Sequence, residues 1–154
     1  MKNKNFLKAG FALLLACMIS TGVYAQVAVV GTLKDGKASV TSLADATAVL
    51  KGGLSASATV TDISIQLEPA SGKYYLFGAI SNDRITGKAV ELQNEAGILR
   101  AASGPGIEIT CDGYKCGRCV PVITKMRVRC VCEDANPPSD MRCDMLSKVV
   151  ITAW

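Results

Sequence analysis

The chain has 154 residues, a formal charge of +4, 49% hydrophobic and only 5% aromatic residues, and no histidine. Without histidine it lacks the usual general base near neutral pH and the commonest metal ligand. It also carries no Gly-x-Ser-x-Gly elbow, phosphate-binding glycine-rich loop or dinucleotide fingerprint, so we expect neither an enzyme nor a cofactor.

Lys2, Lys4 and Lys8 precede an apolar run from Ala9 to Ile19, and Val23-Tyr24-Ala25 has the small-residue spacing cut by a signal peptidase. This pattern predicts a secretory signal peptide over 1–25. A spanning helix needs about 20 consecutive apolar residues, and Ser20, Thr21 and Gly22 interrupt the run before that length. Leu14-Leu15-Ala16-Cys17 resembles a bacterial lipobox, in which Cys17 would carry a lipid. The competing reading, favoured by the unusual Leu15, keeps Cys17 as a small apolar residue within the signal. Membrane association is expected only if Cys17 is lipidated.

Cleavage after Ala25 removes three lysines and no acids, leaving 129 residues with a charge near +1. That length supports one domain with a real core. Near-neutral charge with no clustered basic footprint argues against a nucleic-acid partner.

From Val27 to Thr41 two short runs flank Asp35-Gly36, a strong hairpin turn. Ser42 and Asp45 have capping-box spacing, and Leu43, Ala46, Val49 and Leu50 recur at helical spacing until Gly52-Gly53, predicting one short helix over 43–51. Ile63, Ile65 and Leu67 then alternate with Ser64, Gln66 and Glu68, which is a strand pattern. Pro69 to Gly72 turns the chain into the central strand KYYLFGAI over 73–80, whose Tyr74, Tyr75 and Phe77 are read as core. Ala89–Gln93 and Gly97–Ala101 form a hairpin about Asn94-Glu95-Ala96, and Ile107–Thr110 delivers Cys111.

The last third holds six of the seven cysteines: Cys111, Cys116, Cys119, Cys130, Cys132 and Cys143. An even number in an exported chain, within a segment too small for its own core, predicts three disulfides. Alternation over 125–132 places Met126, Val128, Cys130 and Cys132 on one face, so Cys130 and Cys132 are expected to reach different partners. Six cysteines allow 15 connectivities, among which we prefer Cys111, Cys116 and Cys119 each bonding one of Cys130, Cys132 and Cys143. Two other chemistries compete. Cys-x4-Cys-x2-Cys is the opening spacing of plant-type ferredoxins, but the next cysteine, Cys130, does not continue that pattern and export disfavours a cluster. Cys116-Gly117-Arg118-Cys119 resembles a thioredoxin-type motif, yet Pro121 and a strand follow where a helix is required. No metal is expected.

Lys125, Arg127 and Arg129 occupy alternate positions and are candidates to contact an anionic partner, against the plainer reading of a solvated strand face. Residues 136–140, Asn-Pro-Pro-Ser-Asp, form a connector, and KVVITAW closes the chain as a strand with Trp154 packed on the sheet.

This layout of signal peptide, KYYLFG and KAVELQ strands, and GPGIEITC leading into CxxC and CxC resembles small cysteine-rich exported proteins of Gram-negative bacteria. The resemblance implies export and disulfides, and no activity. The expected architecture is mainly β: an antiparallel meander or sandwich-like sheet with one short helix and a disulfide-stapled C-terminal β segment. A β-rich region over 26–110 and the cysteine-rich segment over 111–154 pack as one domain. The expected role is a binding or structural module in the periplasm, at the cell surface or secreted, with a protein or glycan partner. A thiol-redox or metal protein using the cysteines, and a secreted inhibitor or toxin, are the alternatives.

Overall fold

The computed structural model describes residues 28–101, 105–134, 136 and 138–151. The signal segment with Cys17, and Trp154, lie outside them. The first hairpin pairs β1 (Val29–Lys34) with β2 (Lys37–Val40). Its turn residues Asp35 and Gly36 have φ of 51° and 74°, the left-handed pair that a two-residue hairpin requires to match strand twist. Helix α1 (Leu43–Lys51) starts where Ser42 Oγ accepts from the Asp45 amide at 3.2 Å. Asp45 in its first turn and Lys51 in its last complement the helix dipole.

The remaining strands are β3 (Thr59–Glu68), β4 (Lys73–Ser81), β5 (Ile85–Glu95), β6 (Ile98–Ala101), β7 (Pro105–Tyr114), β8 (Cys119–Thr124), β9 (Arg127–Cys132) and β10 (Arg142–Ile151). Between β5 and β6 the turn lies at Ala96-Gly97, with φ of 52° and 88°, one to two residues later than the sequence suggests. Asn94 stays in the strand, and its side-chain oxygen accepts from the Gly97 amide at 3.0 Å. The turn signal of Asn94 is thus spent through its side chain rather than its backbone.

All the pairings are antiparallel, and β5 is their hub. One edge of β5 carries β4, with β3 beyond it. The other edge is shared: its first half pairs β7, flanked by β10, and its second half pairs β6, followed by β1 and β2. Strand β2 curls round against β3. Strands β8 and β9 form a separate two-stranded sheet.

Strand alternation sends side chains to two opposite layers. One face of the sheet packs on α1, burying Val30, Ala46, Val49, Leu50, Leu76, Leu92 and Leu99. The helix comes so close at Gly78 that an added Cβ would lie 2.7 Å from Leu50 Cδ1 and 2.9 Å from Val60 Cγ1. The opposite face presents Tyr75, Phe77, Ala89 and Ile109 to the β8–β9 hairpin, which answers with Val128 and Ile123. Two of the three ring-bearing residues of β4 therefore fill the hairpin-side core, while Tyr74 points to the helix side and packs there.

Beneath α1 lies a buried ion pair with an exposed third charge at its edge. Lys88 is 1% exposed; its Nζ donates to the carbonyl of Gly52, which follows the helix, at 2.6 Å and pairs with Glu108 Oε2 at 2.7 Å. The other carboxylate oxygen of Glu108 pairs with Lys148 at 2.8 Å. Burial pulls the Lys88 ammonium below the ordinary lysine value, opposed by its hydrogen bond and attraction to Glu108.

Candidate binding site at the disulfide-stapled end

The β8–β9 hairpin buries Val120, Pro121 and Val128, and disulfides staple it in place. Cys111 on β7 bonds Cys130 on β9, Cys116 bonds Cys132, and Cys119 on β8 bonds Cys143 on β10. Each of the first three cysteines meets one of the last three, and Cys130 and Cys132 reach different partners from one strand face. The segment boundary at Cys111 falls inside β7, so the cysteine-rich stretch begins mid-strand in the main sheet.

Glycines let the hairpin approach. An added Cβ at Gly87 would lie 2.5 Å from Pro121 Cδ and 2.8 Å from Val120 Cα. At Gly113 it would lie 2.9 Å from the Cys116 carbonyl oxygen and 3.0 Å from Cys119 Cβ. Polar contacts complete the seam. Thr86 Oγ1 donates to the Cys119 carbonyl at 2.7 Å, the Gly117 amide donates to Asp134 Oδ2 at 2.7 Å, and Arg118 pairs with both Asp62 and Glu133. At the tip of the hairpin the Val128 amide donates to Glu68 Oε1 at 3.0 Å and the Ala70 amide to the Met126 carbonyl at 3.3 Å.

Two sulfur clusters bear on the metal alternative. The sulfurs of Cys111, Cys119 and Cys130 lie within 4.8 Å of one another, as do those of Cys116 and Cys132 together with an oxygen of Asp134. A thiolate must be free to ligate. Here each sulfur is already bonded to another, which leaves these groups without metal-ligand chemistry in the oxidised state. Nearby, burial first and then Glu68 and Glu91 push the Tyr75 phenol up to about 12, so it stays protonated at neutral pH.

The basic residues separate. Arg127 and Arg129 are exposed on β9, whereas Lys125 sits with Met126 in the β8–β9 turn, with φ of 48° and 70°. The strand begins two residues later than the alternation suggests, so Lys125 does not continue the arginine face. Met126 is 57% exposed for the same reason. A left-handed turn built from Lys-Met carries none of the usual glycine or asparagine signals.

A different constellation, which sequence reasoning missed, gathers on the helix-side face at the far end of β7 and β10. Register places Arg142 opposite Tyr114 and Asp144 opposite Asp112. Arg84, just before β5, adds its guanidinium to Asp112 at 2.7 Å. Together with the Gly113 backbone these side chains line an open concavity of about 410 Å3. Tyr114 is 49% exposed, with Arg142 at 5.3 Å and Lys115 at 5.5 Å from its ring centroid. These residues are scattered through the sequence, and only the β7–β10 register unites them.

No family model, curated protein or solved structure matches this chain. Three disulfides in so short a segment are a signature of an oxidising, extracytoplasmic compartment. Among the described residues no helix is long and apolar enough to cross a membrane.

Proposed function

We propose that the protein is an exported, disulfide-stabilised, β-rich binding module that works without catalysis, in the periplasm, at the cell surface or in the medium. The observation that carries this reading is that all six cysteines of the C-terminal region are consumed in bonds joining the hairpin to the sheet or closing it on itself. Sulfur is used here as structure. The same bonds hold the ends of β7 and β10 rigid, which lowers the entropic cost of binding at surface groups mounted on them.

The test is intact mass with thiol alkylation before and after reduction, on protein recovered from its host, combined with a thiol-exchange assay on a disulfide substrate. The expected result is a mature mass beginning at Gln26, six alkylations only after reduction, and no exchange activity. Free thiols with metal-sized excess mass under native conditions, or disulfide exchange that disappears in Cys116→Ser and Cys119→Ser, would overturn the reading in favour of a metal or redox protein.

A further inference from the structure

We propose that the concavity lined by Arg84, Asp112, Tyr114, Arg142 and Asp144 is a binding site for a neutral saccharide. The inference rests on the reading of the chain as a binding module and names its ligand class.

Three features of the site converge. It is an open depression of about 410 Å3, reached from solvent along one side. It offers a half-exposed tyrosine, and a ring of this kind with an apolar face and a polar rim suits the C–H face of a pyranose. Its charges are two guanidiniums and two carboxylates, which cancel. An anionic ligand would meet Asp112 and Asp144, and a cation would meet Arg84 and Arg142. Sugar hydroxyls, each both donor and acceptor, match both kinds of group at once.

The arrangement also breaks a rule of sheet construction. Asp112 and Asp144 stand directly opposite each other across β7 and β10, and like charges so placed are destabilising. Arg84 compensates Asp112, but Asp144 and Arg142 have no ion-pair partner among the described residues. They are acceptor and donor groups held ready by strand geometry. Cys143 lies between them and is bonded to Cys119, while Cys111, next to Asp112, is bonded to Cys130. The disulfides thus fix the strands on one face and the site stands on the other. A sugar ring stacking on Tyr114 takes the place of the cations now over it, Arg142 and Lys115, the latter already paired with Asp140.

The experiment titrates the mature, oxidised protein with neutral gluco-, manno-, galacto- and chito-oligosaccharides, and with uronate oligosaccharides for comparison, following amide shifts by NMR. We expect a saturable response to at least one neutral series, centred on residues 112–114 and 142–144. Tyr114→Ala and Asp144→Asn, both at exposed positions, should each weaken it about tenfold or more. Lys34→Ala, exposed on β1, should leave it unchanged. A silent neutral panel, a preference for uronates, or binding that survives both site variants would overturn the proposal. A protein that is fully disulfide-bonded and inert in thiol exchange but silent to the panel sinks the saccharide site alone. Exchange activity or bound metal would sink the broader reading.

Discussion

The two faces of the sheet are closed by different chemistry. On the helix side, α1 and the curled β1–β2 hairpin bury a continuous set of aliphatic side chains, with Val30, Leu50, Leu76 and Leu99 at 0% exposure. On the other side, the β8–β9 hairpin brings Val128 and Ile123 to Tyr75, Phe77 and Ile109 and relies on three disulfides. Burying a large aliphatic side chain stabilises by about 1.5–3 kcal/mol. Closing loops with separations of 19, 16 and 24 residues is worth about 3 kcal/mol each in the chain-entropy account. The hairpin side thus adds cross-links to its own apolar burial of Val120, Pro121 and Val128. The lesson is that the sulfur is placed where a two-stranded hairpin, marginal by itself, closes the sheet.

The sharpest challenge to this contrast sits on the apolar side, where Lys88 is buried under α1. If Glu108→Ala leaves that ammonium unpaired, the expected loss is about 3–5 kcal/mol by chemical denaturation, because an uncompensated buried charge is costly. Lys88→Met combined with Glu108→Leu should recover most of it, since a buried pair is often replaceable by apolar residues of similar size. A Glu108→Ala variant of native stability would show that the helix-side core dominates so thoroughly that its buried ion pair is irrelevant.

The cross-links give the next largest effect. Cys119→Ser with Cys143→Ser should cost about 3 kcal/mol. Full reduction should raise amide exchange in β8 and β9 far more than in β1 and β6, whose packing is aliphatic. Uniform deprotection of all strands would erase the distinction between the two faces and make the sheet a single cooperative unit that depends on sulfur throughout.

The fold class was legible because its signals are local. Ser42, Asp45 and the Leu43-Ala46-Val49-Leu50 spacing specify the helix, and Asp35-Gly36 specifies a hairpin. Strand ends were less legible wherever a turn used unlikely residues, as at Lys125-Met126, or wherever a turn residue acted through its side chain, as Asn94 does. The face alternation of Cys130 and Cys132 contained the fact that they part company, while the choice of partners depended on how β7 and β10 pair. The concavity around Tyr114 was invisible for the same reason. Nothing in the stretch around Asp112 points to Asp144, and only a ten-residue antiparallel register brings the two carboxylates face to face.

The smallest expected effect probes the loop that links the two regions. Asp83 precedes β5, the strand shared by both faces; its carboxylate accepts from the Ser55 amide at 2.8 Å and the Ile85 amide at 3.1 Å. These bonds, Ser55 first, hold its carboxyl below the ordinary aspartate value. The folded state therefore binds the proton less readily than the unfolded chain, so the stabilisation is complete above the unfolded value and is lost as pH falls through the folded one. In acid titrations Asp83→Asn should flatten that part of the stability profile, with a deficit at neutral pH that disappears at low pH. Because Ser55 lies in the segment leaving α1 and Ile85 opens β5, the same variant should raise amide exchange at both points before either core loosens. If the deficit persists unchanged in acid, the carboxylate is not what ties the helix side to the hub strand.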